Sequence, residues 1–122
     1  MPKKQKMPLE GIVVLDLTNV LSGPYATLIL SDLGANVIKV EKPLGDDSRK
    51  YGPFIKKRSG YFLSLNRGKK SIVLDLQNKK DKLLFEKLLK KSDVLIDNYK
   101  PGTLEKFGFS WKKISSNYPN LI

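Results

Sequence analysis

The chain contains no cysteine and no histidine. The first absence excludes disulfides, thiolate nucleophiles and cysteine-held metals. The second removes the commonest general base and metal ligand of neutral pH. Arginine is scarce as well, with Arg49, Arg58 and Arg67 set against 20 lysines. No apolar run approaches the roughly 20 residues a membrane span needs. The opening MPKKQKMPLEG is basic but has no apolar segment and no small-residue cleavage motif. A signal peptide is therefore not expected, and a cytoplasmic location is.

What remains is ordinary for one modest globular domain: 122 residues, 40% hydrophobic and 29% charged. The net charge of +11 rests on scattered lysine pairs such as Lys56-Lys57, Lys69-Lys70 and Lys90-Lys91. Arginine would suit bidentate contacts to phosphates and base edges better. No cluster of stacking aromatics accompanies the lysines, so a solvated basic surface is favoured over nucleic-acid binding. A polyanionic small ligand would still draw on a few of these cations.

The apolar run Ile12–Leu15 leads into Ser22-Gly23-Pro24, an apolar-periodic stretch and Gly34, and then the β-branched run Val37–Val40. This is a βαβ unit, with Pro24 expected at the first helical position and Gly34 just past the end. Neither run alternates, which suits parallel strands covered on both faces. Glu41–Gly60 has no periodicity and reads as a long loop of the functional or mobile kind. Strands are expected over 71–76 and 93–97, with an amphipathic helix over 79–91 carrying Leu83, Leu84, Phe85, Leu88 and Leu89. Short helices follow near 101–107 and 111–116, and 120–122 reads as the start of another strand. Phe85, Trp111 and Tyr118 are expected in the core. The alternation predicts an α/β fold, with three layers, a mainly parallel Rossmann-like sheet and helices on both faces. Residues 1–9 are expected to be a flexible basic arm. Residues 10–122 are expected to form the incomplete N-terminal part of a larger α/β fold.

In such a fold, ligands meet the carboxyl ends of the strands and the helix N-terminus that follows. The turn Val20–Pro24 is not GxGxxG, and no P-loop motif occurs. The residues alone leave that turn open between a ligand cradle and a plain connection. They leave Lys42, about 20 residues on, open between a ribose-phosphate contact and a solvated charge. Asn98-Tyr99 is open between a ligand contact and a helix lead-in. Asp16, Asp75 and Asp97 end strands and are expected to cap the turns that follow.

Taken together, a series of segments resembles the family III CoA-transferases, the group of formyl-CoA transferases and α-methylacyl-CoA racemases. They include Val14–Thr18, Ser22–Tyr25, Asp32–Glu41, Gly45–Arg49, Tyr61–Asn66, Lys70–Leu76, Ser92–Tyr99 and Pro101–Leu104. The resemblance runs from Pro8 through nearly the whole chain. It implies that coenzyme A lies over Leu21 and Ser22, with Lys42 at its ribose-phosphate end. Leu74, Asn98 and Tyr99 would line the nucleotide and pantetheine, and Lys106 would lie near the phosphates. Gln77 stands where the family often carries a cofactor-binding lysine. The long loop before Tyr61 looks more like the transferase branch than the racemases. The resemblance also implies a CoA thioester and a carboxylic acid as reactants, no metal, no nucleic acid, no membrane and an interlocked homodimer. The family's nucleophile is an aspartate that forms a mixed anhydride. No aspartate here matches its motif, so no catalytic residue is assigned in this chain.

Overall fold

The computed structural model describes residues 5–122. Strand β1 (Val13–Asp16) is followed by helix α1 (Ser22–Asp32) and strand β2 (Asn36–Glu41). A 3₁₀ turn (Asp47–Lys50), a hairpin of β3 (Phe54–Ile55) and β4 (Arg58–Ser59), and helix α2 (Gly60–Asn66) come next. Then follow β5 (Lys70–Val73), α3 (Lys79–Leu89), β6 (Val94–Ile96), α4 (Thr103–Lys106) and α5 (Trp111–Asn117).

The main sheet has the order β5-β2-β1-β6, and every pairing in it is parallel. Ile122 adds to this sheet: its N–H donates to Asp93 O and its carbonyl accepts from Leu95 N. That pattern is one step of a parallel ladder beside β6, as the apolar residues 120–122 predict.

Successive strand residues face opposite sides, and both sides are covered. Leu15, Val40, Phe85, Leu89, Phe109 and Ile114 form one core between the sheet and helices α3 and α5. Val14, Ala35 and Val37 form a second core, with Leu30 of α1 and Val94 and Ile96 packed on it. These are the three layers expected. Each fully buried Leu or Phe in them contributes about 1.5–3 kcal/mol of burial energy.

Several local expectations need correction. Pro24 is the third residue of α1, not the first; its missing N–H falls in the first turn, where no intrahelical acceptor exists anyway. The stretch 41–60 holds a 3₁₀ turn and a hairpin, which two-residue strands cannot announce by periodicity. Trp111 is 66% exposed and not in the core, while Phe85 is fully buried. Leu83 and Leu84 are exposed on α3, so the buried stripe is Phe85 and Leu89. A single helix face cannot hold five leucine and phenylalanine positions in so short a span.

Residues 1–4 of the expected arm lie outside the described residues. Within the remainder, Leu9 N donates to Leu33 O at 2.9 Å and packs on the second core.

Candidate functional site at the carboxyl edge of the sheet

The chain moves from β1 to β2 to β5 in one direction, and β6 lies on the other side of β1. The turns leaving β1 and β6 therefore diverge and open a crevice at the strands' carboxyl ends, where doubly wound folds bind ligands. Two hydrogen bonds fix its width. Asn19 N donates to Asn98 Oδ1, and Asn98 Nδ2 donates to Asn19 O, both at 2.9 Å.

Helix α1 points its N-terminus into this crevice with no side-chain cap and no acid in its first turn. Its first turn packs so closely on β1 that a Cβ at Gly23 would lie 2.2 Å from Thr18 Cβ. Val20, before the helix, is held in the left-handed region at φ 71°, which a β-branched residue rarely adopts. Its N–H donates to Asp46 Oδ1 at 3.2 Å, so the turn is pinned from beneath.

The floor under the turns is ionic. Asp16 is fully buried and accepts from Thr18 N, Thr18 Oγ1 and Thr27 Oγ1, with Lys69 Nζ at 3.2 Å. Lys69 also donates to Pro24 O and Asn66 Oδ1. Burial pushes its ammonium below the ordinary value, against the opposing charge and hydrogen bond of Asp16. Lys39, buried in the middle of β2, donates to Thr18 O at 2.7 Å and sits 2.8 Å from Asp46 Oδ2. Both ion pairs thus hold the β1 turn from below.

A third pair closes the outer end of β2. Arg49 donates to both oxygens of Glu41 at 2.7 Å, and Ser71 Oγ and Asp46 N donate to the same carboxylate. Burial alone would raise the Glu41 pKa, but these hydrogen bonds and the Arg49 charge bring it down to about 2. Asp46 is likewise lowered, by Lys39 and Ser48, against the effect of its burial.

A depressed carboxylate stabilises the fold above its unfolded pKa and loses that stabilisation as pH falls through the folded value. For Glu41 the window runs from 4.5 down to about 2. Glu41→Gln is expected to cost about 2–3 kcal/mol at neutral pH, allowing for the half-exposed Arg49. Its stability, followed by circular dichroism in urea, should vary less across that window than the parent's. An unchanged pH dependence would contradict the assignment.

The crevice gathers seven of the eight expected residues. A cavity of about 440 Å³ is lined by Leu21, Ser22, Asn98 and Tyr99, together with Asn19, Val20 and Lys100. A second, of about 200 Å³, is lined by Lys42, Leu74, Gln77 and Tyr99, with Val40 and Phe107 among its other walls. Tyr99 borders both and is half-buried. Burial, with the charges of Asp97 and Asp16, raises its hydroxyl above the ordinary tyrosine pKa. Lys42 meets Asp47 at 2.7 Å in an exposed pair. Lys106 is exposed on α4 and lines neither cavity, although its neighbour Phe107 lines the second.

The three strand-end aspartates do cap turns: Asp16 accepts from Thr18 N, Asp75 from Gln77 N and Asp97 from Tyr99 N. Sequence reasoning missed Lys39, Asp46 and Asn19. A lone lysine inside the run VIKVE was the available signal, since a central strand position demands a partner for a charge.

Three comparisons bear on this geometry. The family model described as CoA-transferase family III matches residues 9–122. The chain belongs to CoA-transferase family III. It is 47% identical to acetyl-CoA:oxalate CoA-transferase of Acetobacter aceti over 122 residues, covering 99% of this chain and 31% of that protein. It is 47% identical to succinyl-CoA:glutarate CoA-transferase of Mus musculus, covering 94% of this chain and 27% of that protein. The crystal structure of a CAIB/BAIF family protein from Brucella suis superposes with a TM-score of 0.90 at 40% identity, covering 97% of this chain and 32% of that one. The family III chain described here thus spans about a third of the length of the relatives it matches. Among its described residues, no helix is long and apolar enough to cross a membrane, and no group of three or more His, Cys, Asp or Glu is placed to hold a metal.

Proposed function

We propose that this chain forms the coenzyme A cradle of an enzyme that moves CoA between carboxylic acids. One observation carries the reading. Seven of the eight residues that resemble the family's cofactor contacts, separated by up to 78 positions in sequence, line two cavities joined by Tyr99 at the sheet's carboxyl edge.

The chemistry of the walls suits the ligand. Leu21, Leu74 and Tyr99 offer apolar and aromatic surface to a base and a pantetheine chain, and Asn98 and Ser22 offer polar atoms. Lys42 supplies a cation for a phosphate. The chain supplies binding and orientation. In this reading, a carboxylate oxygen of an aspartate outside residues 1–122 attacks the thioester carbonyl carbon. The C–S bond breaks, CoA leaves as thiolate, and a mixed anhydride awaits the acceptor acid. The whole protein is read as an interlocked homodimer.

The relatives' names favour transfer over racemisation. Oxalate and glutarate in those names are both dicarboxylic acids, which supports an acid of that class as the acceptor here.

The cations give the test. Lys42→Ala and Lys106→Ala are each expected to weaken CoA binding by about 1–3 kcal/mol, the range for charge-assisted contacts. Isothermal calorimetry reads this directly. Unchanged affinity in both variants would refute the phosphate placement. A loss confined to Lys42→Ala would keep the cradle and remove Lys106 from it.

A further inference from the structure

One further cavity lies apart from the two that hold the expected cofactor contacts. About 370 Å³ lies between the hairpin and α2, lined by Arg49, Lys57, Arg58, Ser59, Phe62 and Leu63. Three of these six side chains are cations, and none is acidic. Arg49 ties the cavity to the end of β2: it grips Glu41 on one side, and its guanidinium lies 3.8 Å from the Phe62 ring centroid on the other. Two of its five N–H donors go to Glu41, so the fork keeps donors for another acceptor. Lys57 and Arg58 make no ion pair among the described residues.

The turn that presents them breaks a local rule. Only Lys56 and Lys57 join β3 to β4, and both have positive φ, 47° and 63°. Two-residue hairpin loops of this hand favour Asn-Gly, because both positions are left-handed. A lysine held there costs about 1 kcal/mol or more. Nothing in the fold recovers that cost, since Lys56, Lys57 and Arg58 are all exposed. A strained turn that keeps two lysines keeps charge at the expense of conformation, and such positions point to function.

We propose that this cavity holds the non-reacting carboxylate of a dicarboxylic acid. The proposal rests on the transferase reading. A carboxylate that becomes a thioester loses its charge, so fixed cations would bind it unequally before and after reaction. The second carboxylate is anionic throughout and suits a permanent cluster of Arg49, Lys57 and Arg58. It also relieves the mutual repulsion of the three. Ser59 Oγ is already bonded to Ser48 O and Tyr51 O, so the cations supply the donors.

The test is an amide NMR titration of the chain with glutarate, with glutaramide as the uncharged isosteric control, followed by CoA in the same sample. Glutarate should shift Arg58, Ser59 and Phe62 and bind ~10-fold more tightly than glutaramide, one charge-assisted contact's worth. Prior saturation with CoA should leave its affinity unchanged. The double variant Lys56→Asn, Lys57→Gly should melt at the same or a higher temperature and bind glutarate ~10-fold more weakly. Equal affinity for glutarate and its uncharged diamide, shifts elsewhere, or an unaffected double variant would overturn the proposal. Competition between glutarate and CoA would place these cations on CoA phosphates and overturn it too. CoA shifts without glutarate shifts would sink this site and leave the transferase reading standing. Glutarate shifts without CoA shifts would remove that reading, and with it the acceptor assignment.

Discussion

Replacing Lys69 by methionine is expected to destabilise the fold by about 3–5 kcal/mol, the range for a buried ion pair that loses one partner. Asp16 and the Lys69 side chain are almost wholly out of water, at 0% and 1% exposure. Without the ammonium, Asp16 keeps its bonds from Thr18 and Thr27 but loses the one cation within 4 Å of it among the described residues. Pro24 O and Asn66 Oδ1 lose a donor at the same time. Urea unfolding followed by circular dichroism measures the loss. Adding Asp16→Asn to Lys69→Met should recover part of it, because the stranded charge is removed. Arg67→Ala supplies the contrast. Its pair with Asp32 has a shorter contact, 2.7 Å, yet both partners are half-exposed, so its loss should cost less than about 1 kcal/mol. A Lys69→Met variant as mild as Arg67→Ala would contradict the buried network.

Gly23→Ala is expected to cost about 3 kcal/mol through crowding and to weaken CoA binding along with it. The new Cβ would lie 2.2 Å from Thr18 Cβ and 2.3 Å from Thr18 Cγ2. Thr18 has nowhere to go. It is buried, its hydroxyl donates to Asp16, and its carbonyl accepts from Lys39. The strain must therefore displace either the ionic floor or the start of α1, and both shape the crevice. Gly11→Ala separates crowding from backbone strain. Gly11 has φ +93° but nothing within 4 Å of a built Cβ, so only the conformational term of about 1–2 kcal/mol applies. Equal losses at the two glycines, read by denaturant midpoints, would show that packing against Thr18 is not what requires Gly23.

The layers were legible because burial leaves periodic marks. Unbroken runs such as Ile12–Leu15 require cover on both faces, and the two cores supply it. The strand-end aspartates were legible as turn caps for the same local reason, since an Asx side chain reaches the amide two residues on. The ion pairs were not legible. Lys39 and Asp46 are seven residues apart, and Asp16 and Lys69 are 53 apart. The Asp16–Lys69 pairing depends on a sheet order that no single segment encodes, and the Lys39–Asp46 pairing on how an irregular loop folds back on β2. The hairpin escaped because strands of two residues have no period. Trp111 was misplaced because hydrophobicity says nothing about which side of a short helix faces the core.

The placement of the candidate site was legible in parts, and the fold explains which parts. Leu21, Ser22, Asn98 and Tyr99 stand beside strand ends, so they meet wherever the parallel order places those ends. Asn19, which ties the two turns together, carried no signal of its own because its partner is 79 positions away.

The most direct measurement is calorimetric titration of the folded chain with CoA, alongside the Asn98→Ala variant, which removes the tie between the β1 and β6 turns. The account predicts saturable binding at one site, weakened by about tenfold in the variant for the loss of its hydrogen bonds. A chain that is folded by circular dichroism yet gives no heat of binding would contradict it.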